Sequence, residues 1–213
     1  MRRAHAINCR AVLFDCDGVL VDSRQAAERA WTVWAHTLNV DPQKVLLGMH
    51  GRRSVDTVKL HISERNREPA FALIEATELA TAPSTRAIPG GVELFADVHS
   101  RAAVVTSATS ILANARLAAA GYPAPLVVVS GSDVSTGKPS PQPYLHAAER
   151  LRVPIDECVI VEDSPAGVYA ARAARPARVI IVGRAVPPRG GDIAVRDLRQ
   201  VRWAHGALHV FTS

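Results

Sequence analysis

Residues 11–23 read Ala-Val-Leu-Phe-Asp-Cys-Asp-Gly-Val-Leu-Val-Asp-Ser. An apolar run, Ala11 to Phe14, ends in two aspartates one residue apart, an unusual place for charge. Successive residues on a strand point to opposite faces, so Asp15 and Asp17 fall on the same side. Carboxylates that close repel each other, and both stay ionised only if a cation sits between them or one holds a proton. Gly18 follows, where the backbone can turn tightly. The pattern points to a divalent-metal site with one carboxylate free to act as a nucleophile. The competing reading is an acidic turn at a strand end, which Asp-Gly pairs favour.

Three later segments weigh against a plain turn. Residues 102–107 read Ala-Ala-Val-Val-Thr-Ser, a short apolar strand ending in hydroxyls. Residues 137–143 read Gly-Lys-Pro-Ser-Pro-Gln-Pro, which brings one lysine in from a loop. Residues 158–167 read Cys-Val-Ile-Val-Glu-Asp-Ser-Pro-Ala-Gly, a third apolar strand, ending in two acids. Open α/β sheets bind ligands in the crevice beyond the carboxyl ends of their strands. In this order and spacing, over nearly the whole chain, the pieces resemble the haloacid dehalogenase-like hydrolases, the large family of aspartyl-phosphate phosphatases and mutases.

The resemblance implies a role for each position. Asp15 would be the nucleophile and Asp17 the general acid and base. Mg²⁺ would be held by Asp15, the main-chain carbonyl of Asp17, Asp163 and Glu162. Ser107 and the amide of Ala108 would hold the phosphoryl oxygens, and Lys138 would add positive charge beside the nucleophile. Simpler readings stand beside these. Ser107 or Thr109 could cap the helix that begins near Ser110. Lys138 is one of three lysines in an arginine-rich chain, which suggests a need for a compact point charge; the alternative is a solvated loop lysine. Glu162 and Asp163 could be acids drawn to a helix start, with Pro165 as the first helical residue.

A chain of 213 residues can hold one sizeable α/β core plus an insertion. Core strands are expected near 11–16, 102–107, 126–130, 158–162 and 178–183, with helices near 91–98, 110–120, 141–151 and 165–174. This alternation implies a Rossmann-like parallel sheet with helices on both faces. Residues 24–82 show no convincing strand. They read as helices over 24–38, 41–47, 54–65 and 68–81, with Ala27, Ala30, Trp31, Trp34 and Leu38 at helical spacing. The expected organisation is therefore a discontinuous core, 1–22 and 86–213, interrupted by an all-helical cap over 23–85. Beyond Ala185 only a weak strand at 193–195 and a short closing segment are legible.

Composition narrows the function classes. No leader-like apolar stretch follows Arg2-Arg3, and no run is long enough to span a membrane. Cys9, Cys16 and Cys158 are odd in number and read as buried thiols of a reducing compartment, which suggests a cytoplasmic protein. Cys16 should face away from the two carboxylates and pack in the core. The net charge of +5 and a pI near 9.6 come from scattered arginines with few aromatics, which offers no stacking platform for nucleic acid. Such basicity suits a small anionic metabolite, handled by a monomer or weak dimer.

The cap bears on specificity. Residues 50–56 read His-Gly-Arg-Arg-Ser-Val-Asp. His-Gly-x-Arg-x-x-Asp here looks like the cap loop of relatives that dephosphorylate sugar or polyol phosphates. By that resemblance Arg53 would reach the substrate, with His50 and Arg52 close by; the alternative is an Arg53–Asp56 ion pair at a helix start. A phosphosugar mutase of the β-phosphoglucomutase type is the rival within the family. Its expected histidine in the first cap helix has no counterpart in residues 23–28. A catalytically inactive ligand-binding protein on the same fold is the rival outside it. The turn at 173–177 departs from the family, replacing an expected glycine with Ala-Ala-Arg-Pro-Ala.

Overall fold

The run from Ala11 to Phe14 is a strand with every residue buried, and the sheet grows outward from it. The computed structural model describes residues 3–212. Strand β1 (Arg3–Asn8) precedes the central β2 (Ala11–Phe14), and the two-residue β3 (Val21–Asp22) follows it. Four helices come next: α1 (Arg24–Thr37), α2 (Pro42–Leu46), α3 (Ser54–His61) and α4 (Arg67–Thr81). After β4 (Arg86–Ala87) the α/β alternation runs through α5 (Gly91–Val98), β5 (Ala102–Val105), α6 (Ser110–Ala119), β6 (Val128–Val129), α7 (Gln142–Leu151), β7 (Cys158–Glu162), α8 (Pro165–Ala174) and β8 (Arg178–Val182). Strands β9 (Ile193–Val195), β10 (Val201–Ala204) and β11 (Ala207–Thr212) end the described chain.

Six strands form one parallel sheet in the order β6-β5-β2-β7-β8-β9. Its side chains divide by the two-residue period. Val12, Phe14, Val104, Val159, Val161 and Ile180 enter one apolar cluster, with Leu94 and Phe95 of α5 and Leu117 of α6. Ala11, Leu13, Val105, Ile160 and Ile181 enter the other, with Tyr144 of α7 and Val168 of α8. Burial on both faces explains why these strands read as continuous apolar runs. Cys16 packs in the first cluster, as expected of a residue turned away from the carboxylates.

The four helices between β3 and β4 have an apolar cluster of their own, centred on Trp31, Trp34, Val45, Val58 and Ile74. Trp34 is fully buried and its Nε1 donates to the Ala70 carbonyl at 2.7 Å, which ties α1 to α4. Burial of an indole of this size stabilises by on the order of 4–6 kcal/mol before entropy is counted. The chain enters and leaves this unit side by side, because β3 and β4 pair antiparallel, Val21 with Ala87 and Asp22 with Arg86.

Several expected boundaries differ. The strands expected over 11–16 and 102–107 stop at Phe14 and Val105, because the next residues turn out of the sheet to present polar groups. The strand expected over 126–130 is only Val128–Val129, at the sheet edge. The helix expected over 54–65 ends at His61, where Ile62 is extended (φ −121°, ψ 134°). The closing segment is a hairpin, β10 and β11, whose second strand pairs antiparallel with β1. This three-stranded sheet joins the first and last described strands and packs Val201, Leu208 and Val210 beneath α5. No helix among the described residues is long and apolar enough to cross a membrane.

Candidate active site

Three neighbouring strands end at one crevice, where the strand order reverses around β2. Asp15 lies one residue beyond β2; its backbone N–H donates to the Val161 carbonyl, which holds it against β7. Its carboxylate is buried, with Lys138 Nζ donating to Oδ1 at 2.8 Å. Lys138 also donates to Glu162 Oε1 at 2.7 Å and to the Val105 carbonyl at 3.1 Å. All three ammonium hydrogens are thus used, one on each of the three strands' ends. Lys138 is no solvated loop lysine. Burial alone would lower its pKa, but the charges of Asp15 and Glu162 outweigh this and hold it above the ordinary lysine value. Burial and the Glu162 charge push the Asp15 carboxyl well up, with Lys138 opposing.

Glu162 accepts from five donors. Lys138 and the Tyr144 hydroxyl bind Oε1, and the Asp163 and Ser164 amides and the Ser164 hydroxyl bind Oε2. Gly167 in the first turn of α8 permits this, because a Cβ there would collide with the Glu162 carboxylate. Glu162 was expected among the metal ligands; its lone pairs are already committed to holding Lys138 and the start of α8.

Asp163 differs. Its Oδ1 is buried with no hydrogen-bond partner, and Oδ2 meets only Arg24 at 3.4 Å. Burial and the Glu162 charge push its carboxyl up to about 7 against the pull of Arg24 and Lys138. A buried carboxylate oxygen without a donor is costly, and a cation relieves it. Oxygens of Asp15, Glu162 and Asp163 all lie within 4.8 Å of one another. Since Glu162 is saturated, Asp15 and Asp163 are the carboxylates with capacity left. A hard divalent cation such as Mg²⁺ fits this oxygen set, and no Cys or His among the described residues joins it. Gly18, with φ +85°, lets the chain pass close over Asp163, whose carboxylate a Cβ at this position would strike.

Asp17 lines the same cleft as Asp15 and Asp163. Its Oδ1 accepts from Ser23 Oγ at 2.5 Å and from Arg116 at 2.8 Å. Ser107 and Ala108 also reach the cleft. Thr109, not Ser107, caps α6, accepting from the Leu112 amide. Ser107 Oγ instead donates to the Gly51 carbonyl of the cap at 2.7 Å, and the Ala108 amide donates to Thr106 Oγ1.

The cap residues divide. His50 and Arg52 line the cleft, beside Trp31, Met49 and Arg24. His50 Nε2 lies 3.0 Å from Glu28 Oε1. Arg53 is not among the lining residues. Its guanidinium pairs with Asp56 at 2.6 Å and donates to the carbonyls of Gly131, Val134 and Ser135. The helix-start ion pair is therefore present, and the same side chain fastens the cap to a core loop.

Ser23, Glu78, Arg116 and Tyr144 belong to the site and were not singled out from sequence. A signal existed for two of them. Arg116 stands one residue before Leu117 on the buried face of α6, and Glu78 continues the buried stripe Ala70, Ile74 at a spacing of four.

The family model for haloacid dehalogenase-like hydrolases matches residues 9–175. Hexitol phosphatase A of Escherichia coli (strain K12) is 36% identical over 203 residues, 92% of this chain and 94% of that protein. The 2-deoxyglucose-6-phosphate phosphatase 1 of Saccharomyces cerevisiae is 28% identical, with 89% of this chain and 88% of that protein covered. In structure, CbbY from Rhodobacter sphaeroides in complex with phosphate superposes with a TM-score of 0.77 at 24% identity, covering 89% of this chain and 95% of the other. That likeness speaks for the fold; the sequence match carries the conclusion that this chain belongs to the haloacid dehalogenase-like hydrolases.

Proposed function

We propose that the chain is a Mg²⁺-dependent phosphatase that hydrolyses small phosphomonoesters, with sugar or polyol phosphates as substrates, through an aspartyl-phosphate on Asp15. The observation that carries this reading is the buried Asp15 carboxylate, gripped by Lys138 on one oxygen only and sharing its cleft with Asp17 and with an oxygen of Asp163 that has no partner. The relatives named as hexitol and 2-deoxyglucose-6-phosphate phosphatases support the substrate class.

Asp15, Asp163 and the main-chain carbonyl of Asp17 would hold Mg²⁺. When bound, the cation offsets the repulsion between an anionic nucleophile and an anionic ester. Lys138 adds a fixed positive charge beside Asp15, where charge passes to the transferring group. The free oxygen of Asp15 attacks phosphorus as the bond to the leaving oxygen breaks. Asp17 delivers its proton to that oxygen, then takes one from the water that attacks the aspartyl-phosphate and frees Asp15. Ser107 and the Ala108 amide would exchange the Gly51 carbonyl and the Thr106 hydroxyl for phosphoryl oxygens. The cleft lies between the core strands and the inserted helices, lined by Asp15, Asp17 and Asp163 on one side and Met49, His50 and Arg52 on the other, an arrangement in which the cap could close over a bound substrate. A small closing cleft suits a small metabolite better than a polymer.

Phosphate release measured across sugar, polyol, nucleotide and aryl phosphates with Mg²⁺ tests the reading. We expect turnover of a polyol or sugar phosphate and its loss in chelator. Asp15→Asn should reduce it by roughly 10³-fold or more while the chain stays folded. Turnover by Asp15→Asn within tenfold of wild type, or full activity after exhaustive chelation, would contradict it. Absence of turnover on every substrate would favour an inactive binding protein.

A further inference from the structure

Arg116 is one of the most deeply buried charges in the described chain. Its side chain is 3% exposed, on the core helix α6. An arginine is rarely so enclosed unless each side of its fork is matched. Here one terminal nitrogen donates to Asp17 Oδ1 at 2.8 Å and the other to Glu78 Oε1 at 3.0 Å. Glu78 is 6% exposed and stands on α4, within the inserted helices. The three charged groups come from three separate parts of the fold: the turn after β2, the core helix, and the cap.

The pattern of bonds on Asp17 is one-sided. Ser23 Oγ and Arg116 both donate to Oδ1. Ser23 stands at the start of α1, but its side chain makes no capping bond to that helix, and its hydroxyl is given over to Asp17. Two donors on a single oxygen fix the carboxyl plane and leave Oδ2 clear of both. Charge-assisted bonds from a guanidinium are the strongest available for such a task. Glu78 in turn holds the other arm of the guanidinium.

We infer that Arg116 is a positioning residue for the acid–base carboxyl of Asp17, and that Glu78 completes the arrangement only when the cap is seated on the core. This rests on the phosphatase reading above. It adds to that reading a link between cap closure and chemistry: lifting the cap removes Glu78 from Arg116 and loosens the grip on Asp17. The proton is then presented in the right direction only in the closed, water-poor cleft.

The test compares kcat/KM on two substrates. A p-nitrophenyl phosphate has a leaving group stable as its anion and needs little protonation. The best sugar or polyol phosphate from the substrate screen has a basic leaving oxygen and needs the proton from Asp17. Arg116→Met should lower kcat/KM on the polyol or sugar phosphate at least tenfold more than on the aryl ester, a part of the roughly 10²–10⁴-fold that a placed general acid contributes. Arg116→Lys should recover some of the loss. Glu78→Gln, which keeps shape and hydrogen bonding, should show the same split at smaller size and decides the matter if Arg116→Met does not fold. Equal losses on both substrates, or no loss, in protein with wild-type circular dichroism would overturn the inference and leave the phosphatase reading standing. A wild-type chain inactive on both substrates would overturn the two together.

Discussion

At the scale of single residues, the two acids that end β7 have opposite situations, and opposite behaviour follows. Glu162 is saturated by donors, whereas Asp163 has a buried oxygen with none. In metal-free protein, Glu162→Gln should destabilise by about 3 kcal/mol, about 6–12 °C in melting midpoint, because Lys138 and two amides lose a full charge to bind. Asp163→Asn should instead raise the midpoint near neutral pH and abolish stabilisation by Mg²⁺. The sign with pH follows from the shift. The Asp163 carboxyl moves from an ordinary 3.8 to about 7 in the fold, so the folded chain keeps that proton better. Its stabilising share is complete below about pH 4 and is lost as pH rises through about 7. Wild-type protein in chelator should therefore melt lower at about pH 8 than at about pH 5, and Asp163→Asn should flatten that slope. Thermal melts of the three proteins at both pH values check all of this; a lower midpoint for Asp163→Asn than for Glu162→Gln would reverse the assigned roles.

At the scale of elements, the C-terminal end of α8 shows how the chain manages without an expected glycine. Arg175 caps this helix in the left-handed region, φ 59° and ψ 55°, and Pro176 follows it outward. The turn keeps its shape, and a side chain bears the strain. An L-residue in this region costs roughly 1–2 kcal/mol, against roughly 0.5–1 for the added freedom of glycine when unfolded. Arg175→Gly should thus stabilise by about 1 kcal/mol, or about 2–4 °C in melting midpoint, with kinetics unchanged. An unchanged or lower midpoint would mean that the arginine side chain contributes more than its exposure suggests. Strand ends follow a related logic. The stretches after β2 and β5 leave the sheet two residues earlier than their apolar patterns imply: Asp15 and Thr106 each keep one last backbone bond to the neighbouring strand, and Asp15, Asp17, Ser107 and Ala108 line the cleft.

At the scale of the whole molecule, cap and core meet through a few polar fastenings. Ser107 binds the Gly51 carbonyl, Arg116 binds Glu78, and Arg53 binds three carbonyls of the 131–135 loop. Arg53 was the sequence's candidate for a substrate contact; its guanidinium is spent on Asp56 and on this loop. Arg53→Ala should accordingly lower kcat/KM by about 10- to 100-fold on an aryl phosphate and a sugar phosphate alike, as loss of cap placement would. A loss confined to the sugar phosphate would return Arg53 to substrate binding.

What the sequence by itself determined is the parallel sheet and the residues delivered to its carboxyl ends. Long apolar runs buried on both faces announce themselves locally, and Asp15, Asp17, Ser107, Lys138 and Asp163 stand beside or between those runs at readable positions. The helical insertion between β3 and β4 was legible for the same reason, since Trp31 and Trp34 repeat at helical spacing. Only the tertiary structure decided how these groups share their bonds. A carboxylate's role depends on which donors reach it, and those of Glu162 come from Lys138 and Tyr144 on other elements as well as from its own chain neighbours. Pairings such as Arg116 with Asp17 and Glu78, or β1 with β11, join residues far apart in the chain, and no local period encodes them. The sequence specifies what each segment buries; which polar partners meet across segments is settled when the segments pack, because hydrogen bonds and ion pairs act only at contact.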